Sequence, residues 1–396
     1  MHTIVEPSKT LDIARNVDVV VAGGGIAGVA AALSAARSGA KTLLVEKECA
    51  LGGLATLGLV VMYLPLCDGY GHQVIGGISE ELLRESLRYG NLSTHAPWQR
   101  IPACWDGEGS LEERARTRFR VDYDAAPMML TLGELVHDAG VEIWYDTRLC
   151  NALVQKNTLT HVIVENKSGR MALAAKAFVD ATGDADLCFL ADENTASWNE
   201  NRRSGWYFSA SEDQSPQLHS LTDPLNGPCP PDSRFYAGDR GSEVSAYVQA
   251  MHAMILRHAR ESQGSLPFLI PTLPLFRMTR RMQGQETLTQ KDLGLWREDA
   301  VAMTGDWRRP APPYTIGLAH LMGHARNLLS AGRCISASGD AWDVTRVIPT
   351  CGATGQAAGA AASMLADRGE IDLPLLQKRL RQAGMILDSS LAGGKR

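Results

Sequence analysis

The chain has 396 residues, 45% hydrophobic and 21% charged, with a formal net charge of −5. That is the profile of a globular protein long enough for two domains, or for one domain carrying a large insertion. It gives no basic nucleic-acid footprint and no apolar run of membrane-span length, and the polar opening MHTIVEPSKTLDIARN does not read as a secretory signal.

The first predicted strand is the β-branched run Val19 to Val21, followed by a glycine turn with Gly23, Gly25 and Gly28 in the G-x-G-x-x-G register. Small residues, beginning with Ile26 and Ala27, continue as a helix through Ala36. A second strand, Lys41 to Val45, ends in Glu46 and Lys47. Each part has a mechanical reason. Gly23 permits the tight turn, Gly25 lets a pyrophosphate approach the backbone, and Gly28 lets the helix lie close on the strand. The helix start offers free N–H groups to the phosphates. Glu46 can accept hydrogen bonds from ribose hydroxyls and disfavours a 2′-phosphate. Strand, helix, strand and acid in that order predict a dinucleotide site, for FAD or NAD.

Another small-residue loop follows, Gly52-Gly53-Leu54-Ala55-Thr56, then a patch rich in glycine and aromatics that ends near Gly77. Ile78 to Tyr89 reads as a helix, Asn91 to Arg120 as irregular, and Pro127 to Ala139 as a helix. Strands are expected at Val141–Tyr145, Leu149–Gln155, Thr160–Asn166 and Ala174–Ala181, with a hairpin around Lys156-Asn157. The proline-containing stretch Thr195 to Gly241, with Pro216, Pro224 and Pro228, reads as a long loop, either a lid or a connection between domains. Ser242 to Arg260 reads as a helix and Phe268 to Met282 as extended segments. Asn327 to Ser330 reads as a buried strand, and Gly355–Asp367 and Leu373–Ala383 as helices. The eight cysteines stand singly, without a C-x-x-C pair. That argues against zinc, dithiol and iron–sulfur sites and for free thiols in a reducing cytoplasm.

The C-terminal stretch Asn327 to Ala366 chooses between the dinucleotides. A strand, a Gly-Arg turn and a second small-residue helix are not needed by a plain NAD enzyme. A flavoprotein needs such an element, because a second helix start can stabilise the N1–C2=O edge of the reduced ring.

On these residues the chain resembles the FAD-dependent oxidoreductases of the two-dinucleotide-binding-domain group, which includes fumarate reductase flavoproteins. The matching pieces are Gly23 to Gly28, Glu46, Gly52-Gly53, Ala181 to Asp184, Arg280-Arg281, Gly305 to Arg308, Ala331 to Arg333, and Arg346 to Gly359. The resemblance implies an α/β fold. A discontinuous Rossmann-like FAD-binding domain over 15–61, 125–195 and 321–396 would carry an inserted α+β substrate region over 62–124 and 196–320. It implies FAD as cofactor, with Gly23, Gly25, Ile26, Ala27 and Gly28 at the pyrophosphate and Glu46 and Lys47 at the adenosine ribose. Gly52, Gly53, Leu54 and Thr56 would lie near pyrophosphate and flavin, and Thr182 and Gly183 against the adenosine half. Gly332 and Arg333 would approach the ribityl chain, and Thr354, Gly355 and Gln356 the pyrimidine edge. Arg333 stands where many relatives carry an acid.

Candidates for the chemistry lie elsewhere. If Phe276 to Gly284 is extended, Arg277, Thr279 and Arg281 share one face, and two guanidiniums could hold an anionic substrate. Alternatively they pair with Glu286 or Asp292, or touch FAD phosphate. His72 is a candidate acid or base, and Tyr63 could flank the ring; backbone bonding and ordinary packing are the competing readings. His320 and His324 lack a third partner, so no metal is expected. The predicted activity is an FAD-dependent oxidoreductase passing a hydride between a small or medium organic substrate and flavin N5. Two rivals stand beside it: an oxygen-using oxidase or monooxygenase, and a structural FAD-binding subunit. The expected partners are a small-molecule substrate and an electron donor or acceptor, with homo-oligomers compatible.

Overall fold

The computed structural model describes residues 3–89, 100–211, 214–224, 230–262 and 266–393. The first strand, β1 (Ile13–Ala22), is buried on both faces over its last residues, as a central parallel strand requires. Helix α1 (Ile26–Arg37) and β2 (Thr42–Val45) complete the expected unit. The short strands β3 (Met62–Tyr63) and β4 (Val121–Asp122) pair antiparallel and bracket α2 (Ile78–Ser86) and α3 (Leu111–Arg116). After α4 (Ala125–Asp138) come β5 (Glu142–Trp144) and the meander β6 (Arg148–Gln155), β7 (Thr158–Asn166) and β8 (Gly169–Asp180). Lys156 and Asn157 both take positive φ, at 50° and 60°, the geometry of the tight hairpin turn expected there.

The seven-stranded sheet draws its strands from both ends of the chain. Strands β5, β2, β1 and β8 run parallel, and β7 and β6 add antiparallel beside β8. A short strand near the C-terminus, β16 (Leu328–Ser330), pairs parallel with the end of β8. The intervening stretch holds α5 (Asp186–Leu190), β9 (Thr195–Ser197), β10 (Ser204–Ser211), β11 (Gln214–Thr222), α6 (Gly241–Glu261), β12 (Leu266–Leu269), β13 (Arg280–Met282), β14 (Ala300–Thr304) and β15 (Tyr314–Gly317). The chain then gives β16 (Leu328–Ser330), α7 (Gly339–Thr345), α8 (Ile348–Arg368) and α9 (Leu373–Gln382).

Three expectations are corrected. The stretch 195–241 is not one long loop: β10 pairs with β11 and β12 in a three-stranded antiparallel sheet. Pro216 lies in β11, an edge strand, where a missing N–H costs no ladder bond. Gly205 leaves room on β10 for Met251 and Ile255 of α6, which a Cβ would meet at 2.8 and 3.1 Å. The irregular region before Arg120 contains α3, started by a Ser110–Glu113 capping box; residues 91–99 of that region, like Pro228 and Cys229, lie outside the described residues. Helix α8 starts at Ile348, about two turns before Gly355.

Candidate functional site

Where β1 ends, Gly23 takes φ +98°, and any Cβ there would stand 2.5 Å from the Ala181 carbonyl oxygen. The turn is therefore closed to other residues. Gly28 would put a Cβ 1.7 Å from the Gly23 carbonyl oxygen, which is the close helix-on-strand packing its position predicts. Gly25 differs. It caps α1 with φ −65°, makes no side-chain cap bond, and its Cβ would meet nothing within 4 Å. The missing side chain leaves an open cradle in front of the amides of a twelve-residue helix, a ready anion site.

That cradle opens into a cleft with about 910 Å³ of free space, counted out into the open solvent at its mouth. Gly52 and Gly53, both at positive φ, lie across from it, with the Gly52 amide donating to the Gly24 carbonyl at 2.8 Å. Leu54 continues that wall, as do Ile26 and Ala27 on the helix side. Glu46 and Lys47 form one end, and Thr182, Gly183, Gly332 and Arg333 the facing side. One Glu46 oxygen accepts the Gly24 amide and the other the Glu48 amide at 2.8 Å. Burial raises its pKa above the ordinary carboxylate value.

Arg333 is fully engaged. It donates to the Gly183 carbonyl at 3.1 Å, the Phe276 carbonyl at 2.7 Å and Asp184 Oδ1 at 3.1 Å. It ties the C-terminal part of the cleft to the turn after β8 and to the segment before β13. The far side of the cleft is lined by Leu273, Pro274 and Phe276 from the segment before β13, and by Arg346, Ile348 and Cys351 at the start of α8. Burial pushes the Cys351 thiol up to about 11. The cleft thus meets the N-termini of two long helices, α1 and α8, and has a partly apolar wall between them. These features fit a dinucleotide carrying a redox ring.

Other residues expected at this site stand outside the lining. Thr56 is buried and donates to the Leu51 carbonyl at 2.6 Å, holding the loop from behind. Thr354 accepts the Gly332 amide at 3.0 Å. Gln356 accepts the Ile78 amide at 2.8 Å and donates to the Ala383 carbonyl at 3.1 Å. A Cβ at Gly355 would stand 2.1 Å from the Ala27 carbonyl oxygen. With the helix starting at Ile348, these three lie in the packed interior of α8 rather than at its exposed start.

The proposed chemical residues also separate. Tyr63 is fully buried and donates to the Ser79 carbonyl at 2.5 Å. His72 is held by Asp68, Nδ1 to Oδ2 2.8 Å. Neither lines the cleft. Only residues 280–282 of the 276–284 segment are strand, so the expected common face does not form. Arg277 stands over the ring of Trp206 and Arg281 over that of Trp342. Thr279 and Arg280 both reach Asp184. Arg281 is buried, donates to the Met282 carbonyl, and pairs with neither Glu286 nor Asp292. His320 accepts the Gly317 amide at 3.0 Å through Nδ1, and burial lowers it to about 4. Among the described residues, no three His, Cys, Asp or Glu groups converge as metal ligands, and no helix is long and apolar enough to cross a membrane. Phe276, Pro274 and Leu273 were missed as lining because an irregular proline-broken segment carries no periodic signal.

No curated protein sequence matches the chain. Among solved structures, p-nitrophenol 4-monooxygenase PnpA from Pseudomonas putida DLL-E4 aligns with TM-score 0.50 at 11% identity, over 96% of this chain and 88% of that one. A geranylgeranyl bacteriochlorophyll reductase-like protein from Thermoplasma acidophilum gives 0.48 at 14% identity, over 96% and 90%. The 3-ketosteroid-Δ4-(5α)-dehydrogenase from Rhodococcus jostii RHA1 gives 0.44 at 14% identity, over 89% and 98%. The likeness to PnpA is one of fold. The sequence itself matches the FAD dependent oxidoreductase family over residues 18–206 and 240–380. With that match covering most of the chain, and with the cleft described above, the protein is a member of the FAD dependent oxidoreductase family, an oxidoreductase with FAD as its cofactor.

Proposed function

We propose that FAD lies along this cleft with its adenosine ribose at Glu46 and its pyrophosphate in front of Gly25. Gly23, Gly52 and Gly53 would keep the backbone close to the phosphates, with Thr182 and Gly183 along the adenosine half and Gly332 beside the ribityl chain. The redox ring would face the segment 273–276 and the start of α8. When bound, FAD accepts or donates a hydride. The observation that carries this reading is the open face of Gly25 at the start of α1, in a cleft that also meets the start of α8.

Within that reading each part of the chain has a task. The amides of the first turn of α1 neutralise phosphate charge. The positive end of α8 favours negative charge that develops on a reduced ring. Leu273, Pro274, Phe276 and Ile348 keep water from the reacting face, which strengthens those electrostatic effects. Cys351 is held neutral by burial and serves as packing. The residues 15–61, 125–195 and 321–396 would form the FAD-binding unit. The residues 62–124 and 196–320, with the three-stranded sheet and α6, would form the substrate side.

The activity we infer is dehydrogenation of a small or medium organic substrate by hydride transfer, with electrons passing on to a separate acceptor. Anaerobic mixing of the yellow protein with a panel of hydroxy, amino and saturated carbonyl compounds tests it. Bleaching of the long-wavelength flavin band by a donor without oxygen is the expected result. If no donor bleaches the band, while a hydroxylated product forms when oxygen and a reduced nicotinamide are supplied, the reading is wrong.

A further inference from the structure

Two arginines, Arg333 and Arg346, line the far end of the cleft, a third, Arg277, directly follows Phe276 of its wall, and the three differ in how their charge is met. Arg333 is paired with Asp184 and bonded to two backbone carbonyls. Arg346 is paired with Asp343, Nε to Oδ1 2.9 Å. Arg277, between Phe276 of the cleft wall and Met278, has no oxygen partner for its guanidinium among the described residues. It lies over the Trp206 ring with Cζ 5.5 Å from the centroid. We propose that Arg277 is the anion-binding residue of the substrate site, and that it holds a carboxylate of the organic substrate at the cap side of the cleft. The proposal rests on the reading of the cleft as the flavin site.

The surroundings of Arg277 keep it in place without giving its guanidinium a hydrogen-bonded carboxylate among the described residues. Asn201 Oδ1 accepts the backbone amides of both Arg277 and Met278, each at 3.2 Å, which fixes the chain at that point. The Trp206 face supports the guanidinium without neutralising it. Trp206 itself is buried, and its indole N–H has no partner. Burial, with the positive charges of Arg346 and Arg333, lowers Arg277 to about 10 against the opposing pull of Tyr247 and Asp343. A half-buried cation with no direct ion pair is costly. A ligand bringing two coplanar oxygens would satisfy the guanidinium fork, which a neutral amide or an alcohol would not. The pyrophosphate does not serve this role in the proposal, because Gly25 stands at the start of α1, whereas Arg277 neighbours Arg346 at the approach to α8.

The test uses the holoprotein, with bound flavin first verified by its visible band. Succinate, benzoate and acetate are each titrated against the corresponding amide, at fixed ionic strength, following the flavin difference spectrum. At least one carboxylate is expected to perturb the spectrum saturably where its amide does not. Arg277→Gln should weaken that binding by about ten- to a hundredfold, with flavin content and melting temperature unchanged. Arg277→Lys keeps the charge without the fork and should fall between the two; it carries the comparison if the glutamine variant does not fold. Equal binding of acid and amide overturns the proposal, as does an unchanged carboxylate affinity in Arg277→Gln, absence of any saturable carboxylate effect, or loss of flavin in place of carboxylate. A wild-type protein without flavin would overturn the cofactor reading as well. A flavin-bound protein that fails the titration overturns the Arg277 assignment alone.

Discussion

Gly25 and Gly28 stand one helical turn apart, and their missing side chains serve different ends. At Gly28 the space is already filled by the protein's own backbone, 1.7 Å from where a Cβ would sit. Gly28→Ala should therefore destabilise the fold by at least about 1–3 kcal/mol, measured as a lowered urea midpoint whether or not FAD is present. Another residue-scale prediction concerns His320. Its Nδ1 accepts a backbone amide, and its folded pKa of about 4 lies below the ordinary value of 6.5. Between those values the unfolded chain binds the extra proton. The contribution of His320 is thus fully present above about pH 6.5 and is lost as the pH falls through about 4. At pH 4.5 the loss should reach about 2–3 kcal/mol. His320→Asn, which keeps an acceptor without a titrating ring, should show a shallower fall in urea midpoint between pH 7.5 and 4.5. A parallel fall would remove this account.

Helix α8 carries the second prediction of packing, at the scale of elements. Gly355 and Gly359 would each place a Cβ 2.1 Å from a carbonyl oxygen of α1, at Ala27 and Ala31. The two helices meet backbone to backbone, four residues apart along each. Replacing either glycine with alanine should separate them and lower the melting temperature, and the double substitution should cost less than the sum, because the first alanine already parts the helices where the second would act. This also explains what was legible at this scale. The T-G-Q-A-A-G run was readable as a helix of small residues, but its start was not. Pro349 stands in the first turn, where proline is favoured. The cap sheet was hidden for a related reason. Prolines around β10 and β11 outweighed the aromatic run Trp206 to Phe208, and Pro216 is tolerated only because β11 is an edge. The parallel core was legible because buried central strands read as short β-branched runs.

At the scale of the whole molecule, the cleft joins stretches that are distant in the chain: the turn after β1, the end of β8, the segment before β13, and the start of α8. The first half of the site was legible because a phosphate-binding turn is local, with its glycines, helix start and acid within one βαβ unit. The cap wall and the state of each arginine were not, because they depend on which side chains the folded chain leaves unpaired. A ligand that touches all these stretches must stabilise their assembly. FAD at about a hundredfold over its Kd should add about 2.7 kcal/mol, read as a raised unfolding midpoint of the reconstituted protein over the flavin-free one. Absence of a shift would mean that FAD does not bind the folded chain in preference to the unfolded one.

The most direct test is the flavin content of Gly25→Val beside wild type, read from the visible absorption of both proteins after saturation with FAD and gel filtration. A Cβ at this position meets nothing in the protein, so the account predicts a variant that is folded, with an unchanged melting temperature in the flavin-free form, and colourless. A folded variant that retains a full complement of flavin would contradict it, since the pyrophosphate could not then lie in front of Gly25.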